Sequence, residues 1–205
     1  MKKKLTMIAA LALAVCIGVG GTLAWLTADT KTITNTFTVG KVDITLTETK
    51  NDGTNAVLDA EETAQTQSYK VSPGVAFTKD PKVTVKADSE KSILYVKVTK
   101  GTDFDTYFTT TVDAGWTELT SAAGSNYKVY YREQAAVAAD TTAGNLPSYS
   151  VLTGNTVTPK DNITSENLKT ADTSLVFQAY AIQYDGLAGS DLAAKAASGW
   201  TALNA

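Results

Sequence analysis

The chain has 205 residues, of which 18 are basic and 21 acidic, with 43% hydrophobic residues, no histidine and one cysteine, Cys16. Without an imidazole the usual Ser-His-Asp and Cys-His catalytic sets and the His-Glu-x-x-His zinc site are excluded, and a lone cysteine supports neither an intrachain disulfide nor a Cys/His zinc cluster. The acidic balance and the lack of a basic run outside Lys2–Lys4 give no electrostatic ground for binding nucleic acid.

The first element is a leader. Met1 to Lys4 is a charged start, Ile8 to Val19 an apolar run, and Gly20-Gly21 break it. This is the pattern of a secretion signal over residues 1–24, to be left out of fold reasoning. A membrane anchor is the competing reading, but the run is short for a span. A lipidated Cys16 is disfavoured by the bulky Val15 before it and by the apolar sequence after it. Cleavage between Ala24 and Trp25 places a suitable Ala24 at the cut but Thr22 two residues earlier, a poor fit to a standard signal peptidase, so a dedicated peptidase is expected. Removing the three leader lysines from the 18 basic residues leaves 15 against 21 acidic ones, net −6.

Residues 25–40 follow as a strand-prone arm with no turn residue before Gly40. Exposed alone, Trp25, Leu26, Ala28 and Ile33 would stand in water, so such a terminus docks on its own domain or on a neighbour's. Residues 41–205 are expected to form a single β-sandwich domain. Val42, Ile44 and Leu46 alternate with polar residues, the period of a half-buried strand, and Asn51-Asp52-Gly53 signals a turn. Residues 54–70 read as a loop with an irregular or helical piece. Pro73-Gly74 marks a turn, Val83-Thr84-Val85 a strand, and Ile93 to Thr99 a central strand, since it is apolar on both faces. Phe104–Val112 and Trp116–Leu119 read as short strand or loop pieces, and Tyr127 to Arg132 as an aromatic strand. Residues 133–147 read as a loop or a brief helical turn, and Val151–Thr153 and Asn155–Thr158 as short strands. Residues 161–169 are a connection. Leu175 to Tyr184 is the longest apolar run and is expected to be central. Ser190-Asp191 caps a short helix over Leu192–Ala197. Many short strands between turn signals imply an all-β sandwich with long loops and only short helices.

The carboxylates are the only acid/base groups left. Asp103 and Asp105 flank Phe104, and alternation would put both on one face, as in a glycosidase pair or a calcium site; a solvated loop is the plainer reading. Asp52, Asp59, Glu61 and Glu62 make a loose acidic loop without the spacing of an EF-hand. Tyr127, Tyr130 and Tyr131 suggest a carbohydrate platform, but alternation separates Tyr130 from the other two and one face must be core. No catalytic, cofactor-binding or metal-ligating residue is assigned, and no cofactor is expected. Trp200 to Ala205 carries no Leu-Pro-x-Thr-Gly sorting signal, so covalent wall anchoring is not expected.

Gly20-Gly21-Thr22-Leu23-Ala24 followed by Trp25-Leu26-Thr27-Ala28-Asp29 resembles the leader junction of the TasA/camelysin family, exported Gram-positive proteins processed by a dedicated ER-type signal peptidase. Asn35 to Val42 and the Ser72-Pro73-Gly74 to Lys79-Asp80-Pro81 stretch are similar to that family's following blocks. The resemblance is best over the first hundred residues and weak in the middle of the chain. It implies a jelly-roll-like β-sandwich and a secreted biofilm-matrix protein at the cell surface. Its Trp25–Ile33 arm would complete a neighbour's sheet, giving a head-to-tail polymer with itself, with other matrix proteins as further partners. Some proteins like this family have been described as metalloproteases, an activity the missing His-Glu-x-x-His pair does not support here. Two other functions stay open: a monomeric cell-surface adhesin or ligand-binding β-sandwich, and a hydrolase built on carboxylates.

Overall fold

The frame is set by β5 (Ser92–Lys100), in which seven successive residues from Ser92 to Val98 are buried apart from a half-buried Lys97. A strand apolar on both faces needs cover on both, and here one face meets a second sheet while the other meets a helix. The computed structural model describes residues 40–52, 57–59 and 66–205. They fall within one compact unit that spans residues 39–205.

The described strands are β1 (Ile44–Thr49), β2 (Val57–Asp59), β3 (Phe77–Thr78), β4 (Lys82–Val85), β5, β6 (Phe108–Thr109), β7 (Thr117–Glu118), β8 (Tyr127–Gln134), β9 (Ser148–Ser150), β10 (Thr156–Pro159) and β11 (Leu175–Gln183). They form sheets ordered β2-β1-β4-β9, β11-β5-β8-β7 and, smaller, β3-β10-β6, and every pairing is antiparallel. The chain is therefore an all-β sandwich. Among the described residues three α-helices complete it: α1 (Phe104–Tyr107), α2 (Ser165–Leu168) and α3 (Leu192–Leu203).

Alternation along β5 sorts the core. Leu94, Val96 and Val98 point between the two large sheets to meet Val83, Val85, Trp116 and Val151. Ile93 and Tyr95 point the other way, with Val129 and Tyr131 of β8, into a cluster closed by Ala196 and Trp200 of α3. Asp191 caps α3 by accepting from Ala194 N at 2.9 Å, as its sequence position indicates. The Tyr95 hydroxyl donates to the Ala196 carbonyl at 2.9 Å. The fit is close: a Cβ on Gly199 would stand 2.4 Å from the Tyr95 hydroxyl, so this helix position needs glycine. A third cluster of Phe104, Phe108, Leu152, Val157 and Ile163 fills the end beneath the small sheet.

The strands expected at Val83–Val85, Ile93–Thr99 and Tyr127–Arg132 are present as β4, β5 and β8. Five expectations are corrected. Phe104–Val112, expected as strand or loop, opens with the helical turn α1. Residues 54–70 contain β2, a three-residue strand whose partner, β1, lies beyond the Asn51-Asp52 turn. The strand expected at Val151–Thr153 lies instead at Ser148–Ser150, where the backbone pairs with β4, and Leu152 makes an isolated bridge with Val112. Helix α3 continues to Leu203, because Trp200 and Leu203 also reach the sheet. Finally, among the described residues β11 is not central: it pairs with β5 on one side and stands at the end of its sheet. Its apolar run reflects cover by the facing sheet and by α3, which act on its two faces, and says nothing about its two edges.

Candidate functional site: an open sheet edge

Among the described residues the backbone of β11 is paired along one side only. Ser174 accepts from Gly101 N at 2.8 Å and Tyr184 donates to Lys91 O at 2.8 Å, both between directly opposed residues of the β11–β5 register. Opposed antiparallel residues alternate between bonded and non-bonded pairs, so the even-numbered residues of β11 turn their backbone groups toward β5. The N–H and C=O groups of Leu175, Phe177, Ala179, Ala181 and Gln183 therefore point away from the sheet. Among the described residues no strand meets them.

Natural edge strands are guarded by charges, prolines, bulges or shortness. β11 has none of these guards: its nine residues, LVFQAYAIQ, include no charged residue, proline or glycine, and all nine are in continuous register with β5. The other strands at sheet edges, β2, β9, β7, β3 and β6, have two or three residues each. Val176 is 47% exposed on the outer face of β11, an apolar side chain beside the open edge.

β1 packs across the core from β11. At the far side Tyr149 of β9 meets Gln134 of β8 and the ring of Trp116. With those strands opposite one another, β2 projects past β11 and has no facing strand among the described residues. A strand added to β11 would lie opposite β2.

A polar cluster stands where β1 approaches β11. Lys79 Nζ lies 2.8 Å from both carboxylate oxygens of Glu48, with side-chain exposures of 11% and 16%. The Tyr69 hydroxyl and the Gln67 amide also donate to Glu48. Burial, then the hydrogen bond to Glu48, holds the Tyr69 phenol far above the ordinary tyrosine range. The Lys79 ammonium also sits 5.6 Å from the centre of the Phe177 ring of β11. The next residue, Asp80, accepts from Thr49 N and Oγ1 at 2.9 and 2.7 Å. These bonds fasten residues 67–69 and 79–80 to the end of β1 and leave the charges satisfied. Sequence reading missed this cluster, because none of its residues forms a spaced motif.

The carboxylates singled out in the sequence do not come together. Asp103 precedes α1 and accepts from Asp172 N at 2.9 Å, whereas Asp105 pairs with Lys100 at 2.7 Å. Helix geometry replaces the expected alternation, so they form no glycosidase-like pair. Of the acidic loop, Asp59 lies in β2, Asp52 in the turn before it, and Glu61 and Glu62 lie outside the described residues. Tyr127 and Tyr131 pack with Val129 on the α3 face, while the half-buried Tyr130 lies on the opposite face beside the core between the sheets, so the three rings form no common platform. The cleavage residues Ala24 and Trp25 and the arm residues Leu26, Ala28 and Ile33 lie outside the described residues.

A family model described as Camelysin metallo-endopeptidase matches residues 1–62. No significant match to a curated protein or to a solved structure was found. The word metallo-endopeptidase implies a metal, and the described residues do not fit one. The chain has no histidine, and among the described residues no group of three or more Asp, Glu, Cys or His residues is placed to hold an ion. No helix of the described residues is long and apolar enough to cross a membrane. Over its first 62 residues, then, the chain matches the camelysin family, in agreement with the resemblance read from its leader junction.

Proposed function

We propose that this chain is an exported structural subunit of an extracellular matrix, which polymerises when the Trp25–Ile33 arm of one copy adds a strand to the open β11 edge of the next. The observation that carries the reading is the unguarded nine-residue edge of β11. The arm from Trp25 to Ile33 is also nine residues long and rich in strand formers. A contact made by one end of a molecule on a different surface of its neighbour does not close on itself, so it grows a fibre.

The energies suit controlled assembly. Burying Trp25, Leu26 and Ile33 contributes about 5–9 kcal/mol. About six ladder hydrogen bonds add about 3–9 kcal/mol. Ordering the arm's backbone costs about 9–18 kcal/mol. These terms nearly cancel, so contact between sandwich bodies supplies the net affinity. Cleavage after Ala24 acts as the switch: while the leader is attached, the arm is held at the membrane and cannot reach a neighbour.

The test compares a protein beginning at Trp25 with one beginning at Asn35. Negative-stain microscopy should show concentration-dependent filaments for the first and folded monomers for the second. Filaments from the shorter protein would refute the role of the arm.

A further inference from the structure

Away from β11, a cleft of about 580 Å³ opens at one end of the sandwich, between the end of β5, the segment after β6 and the turn leading into β8. No residue of β11 lines it, so it is separate from the proposed assembly edge. We propose that this cleft binds a neutral oligosaccharide and does not cleave it.

Its size falls within the range of small-ligand sites, about 300–1,000 Å³. The half-buried Tyr127 and Tyr130 rings line it and give apolar faces suited to the C–H faces of sugar rings, while Val98 and Leu152 lie buried behind them. The Tyr130, Thr111 and Ser125 hydroxyls and the Asn126 side-chain amide line it, and none of these groups has a hydrogen-bond partner among the described residues. Together they donate and accept without net charge. The charged residues at the cleft are already matched: Lys100 lies 2.7 Å from Asp105, and Lys128 lies 2.9 Å from Glu118. An anionic or cationic ligand would have to break one of these pairs, whereas a polyhydroxylated neutral one would not.

Hydrolysis by the usual glycosidase route needs two carboxylates flanking the scissile bond. Asp105 is the one carboxylate lining this cleft, and Asp103 is turned away onto the Asp172 backbone. The site therefore has groups for recognition and lacks the second carboxylate for cleavage. In an assembled fibre, each subunit would present one such cleft to the surrounding polysaccharide.

The experiment is calorimetric titration of the mature chain with maltotriose, cellotriose and chitotriose in turn, repeated with Asn126→Ala and Tyr130→Phe. At least one sugar should bind with a millimolar or tighter Kd, with its glycosidic bonds intact afterwards by mass spectrometry. Each substitution should weaken that binding by up to about tenfold, as expected for one lost hydrogen bond. Asn126 is an exposed loop residue whose backbone carbonyl, retained in the alanine variant, accepts from Lys100 N, so that variant keeps its fold. Failure of all three sugars to bind, unchanged affinity in both variants, or release of cleaved sugar would overturn the proposal.

Discussion

Substituting Ala179 by proline separates the role of the β11 edge from the stability of the sandwich. Proline lacks the N–H that strand pairing needs, and it is tolerated in a strand where that group would face away from the sheet. The β11–β5 register turns the Ala179 N–H outward, so Ala179→Pro leaves the ladder with β5 intact. An arm docking on this edge loses one ladder bond, about 0.5–1.5 kcal/mol, and buries an unpaired carbonyl, about 1–3 kcal/mol. The total of about 1.5–4.5 kcal/mol raises the critical concentration for filaments by about 10- to 2,000-fold. Gln178→Pro is the matched control. Its N–H turns toward β5, so that variant should destabilise the monomer itself. Light scattering against concentration reads assembly, and circular-dichroism melting reads the fold. If Ala179→Pro assembles at the wild-type concentration, the arm does not use β11 and the reasoning fails.

Three further outcomes follow from the packing. Gly199→Ala should destabilise the fold by about 1–3 kcal/mol in a chemical melt, because the clash with the buried Tyr95 hydroxyl exceeds the roughly 1 kcal/mol gained in helix propensity. Burial holds Tyr69, Tyr95 and Tyr130 protonated above the ordinary tyrosine value. In the unfolded chain they ionise near pH 10, so stability present below about pH 10 should be lost as pH rises further. Tyr95→Phe should weaken that alkaline loss while costing about 0.5–1.5 kcal/mol at neutral pH for the bond to Ala196, both measured by denaturant melts. Glu48→Ala should cost about 3–5 kcal/mol by stranding Lys79, and Lys79→Met added to it should restore part of the loss; equal melts for single and double variants would contradict the pairing.

Much of the sandwich was legible from period alone. β4, β5 and β8 stand where alternating or doubly apolar runs indicated, and the Asp191 cap was readable from one residue before an alanine-rich stretch. β2 was not legible, because three residues carry no period and its pairing comes from β1. The Asp103 and Asp105 pairing failed for a related reason. Their shared face assumed an extended backbone, and the chain turns into α1 at Phe104.

The cleft needed the fold as well. Tyr130 drew notice as one of three aromatics, but its neighbours there, Thr111 and Asn126, are ordinary polar residues that become a site only when their loops meet.

By itself the amino-acid sequence determined which chemistry this protein does without. A chain with no histidine and one cysteine cannot build an imidazole-based catalytic set or a Cys/His metal site, whatever its fold. It also determined the two-residue period of the strands, since side-chain polarity must follow the pleat. Only the tertiary structure decided that, among the described strands, β11 ends its sheet. Burial is recorded in a strand's side chains, which point above and below the sheet, whereas its edges are lined by backbone groups common to every residue but proline.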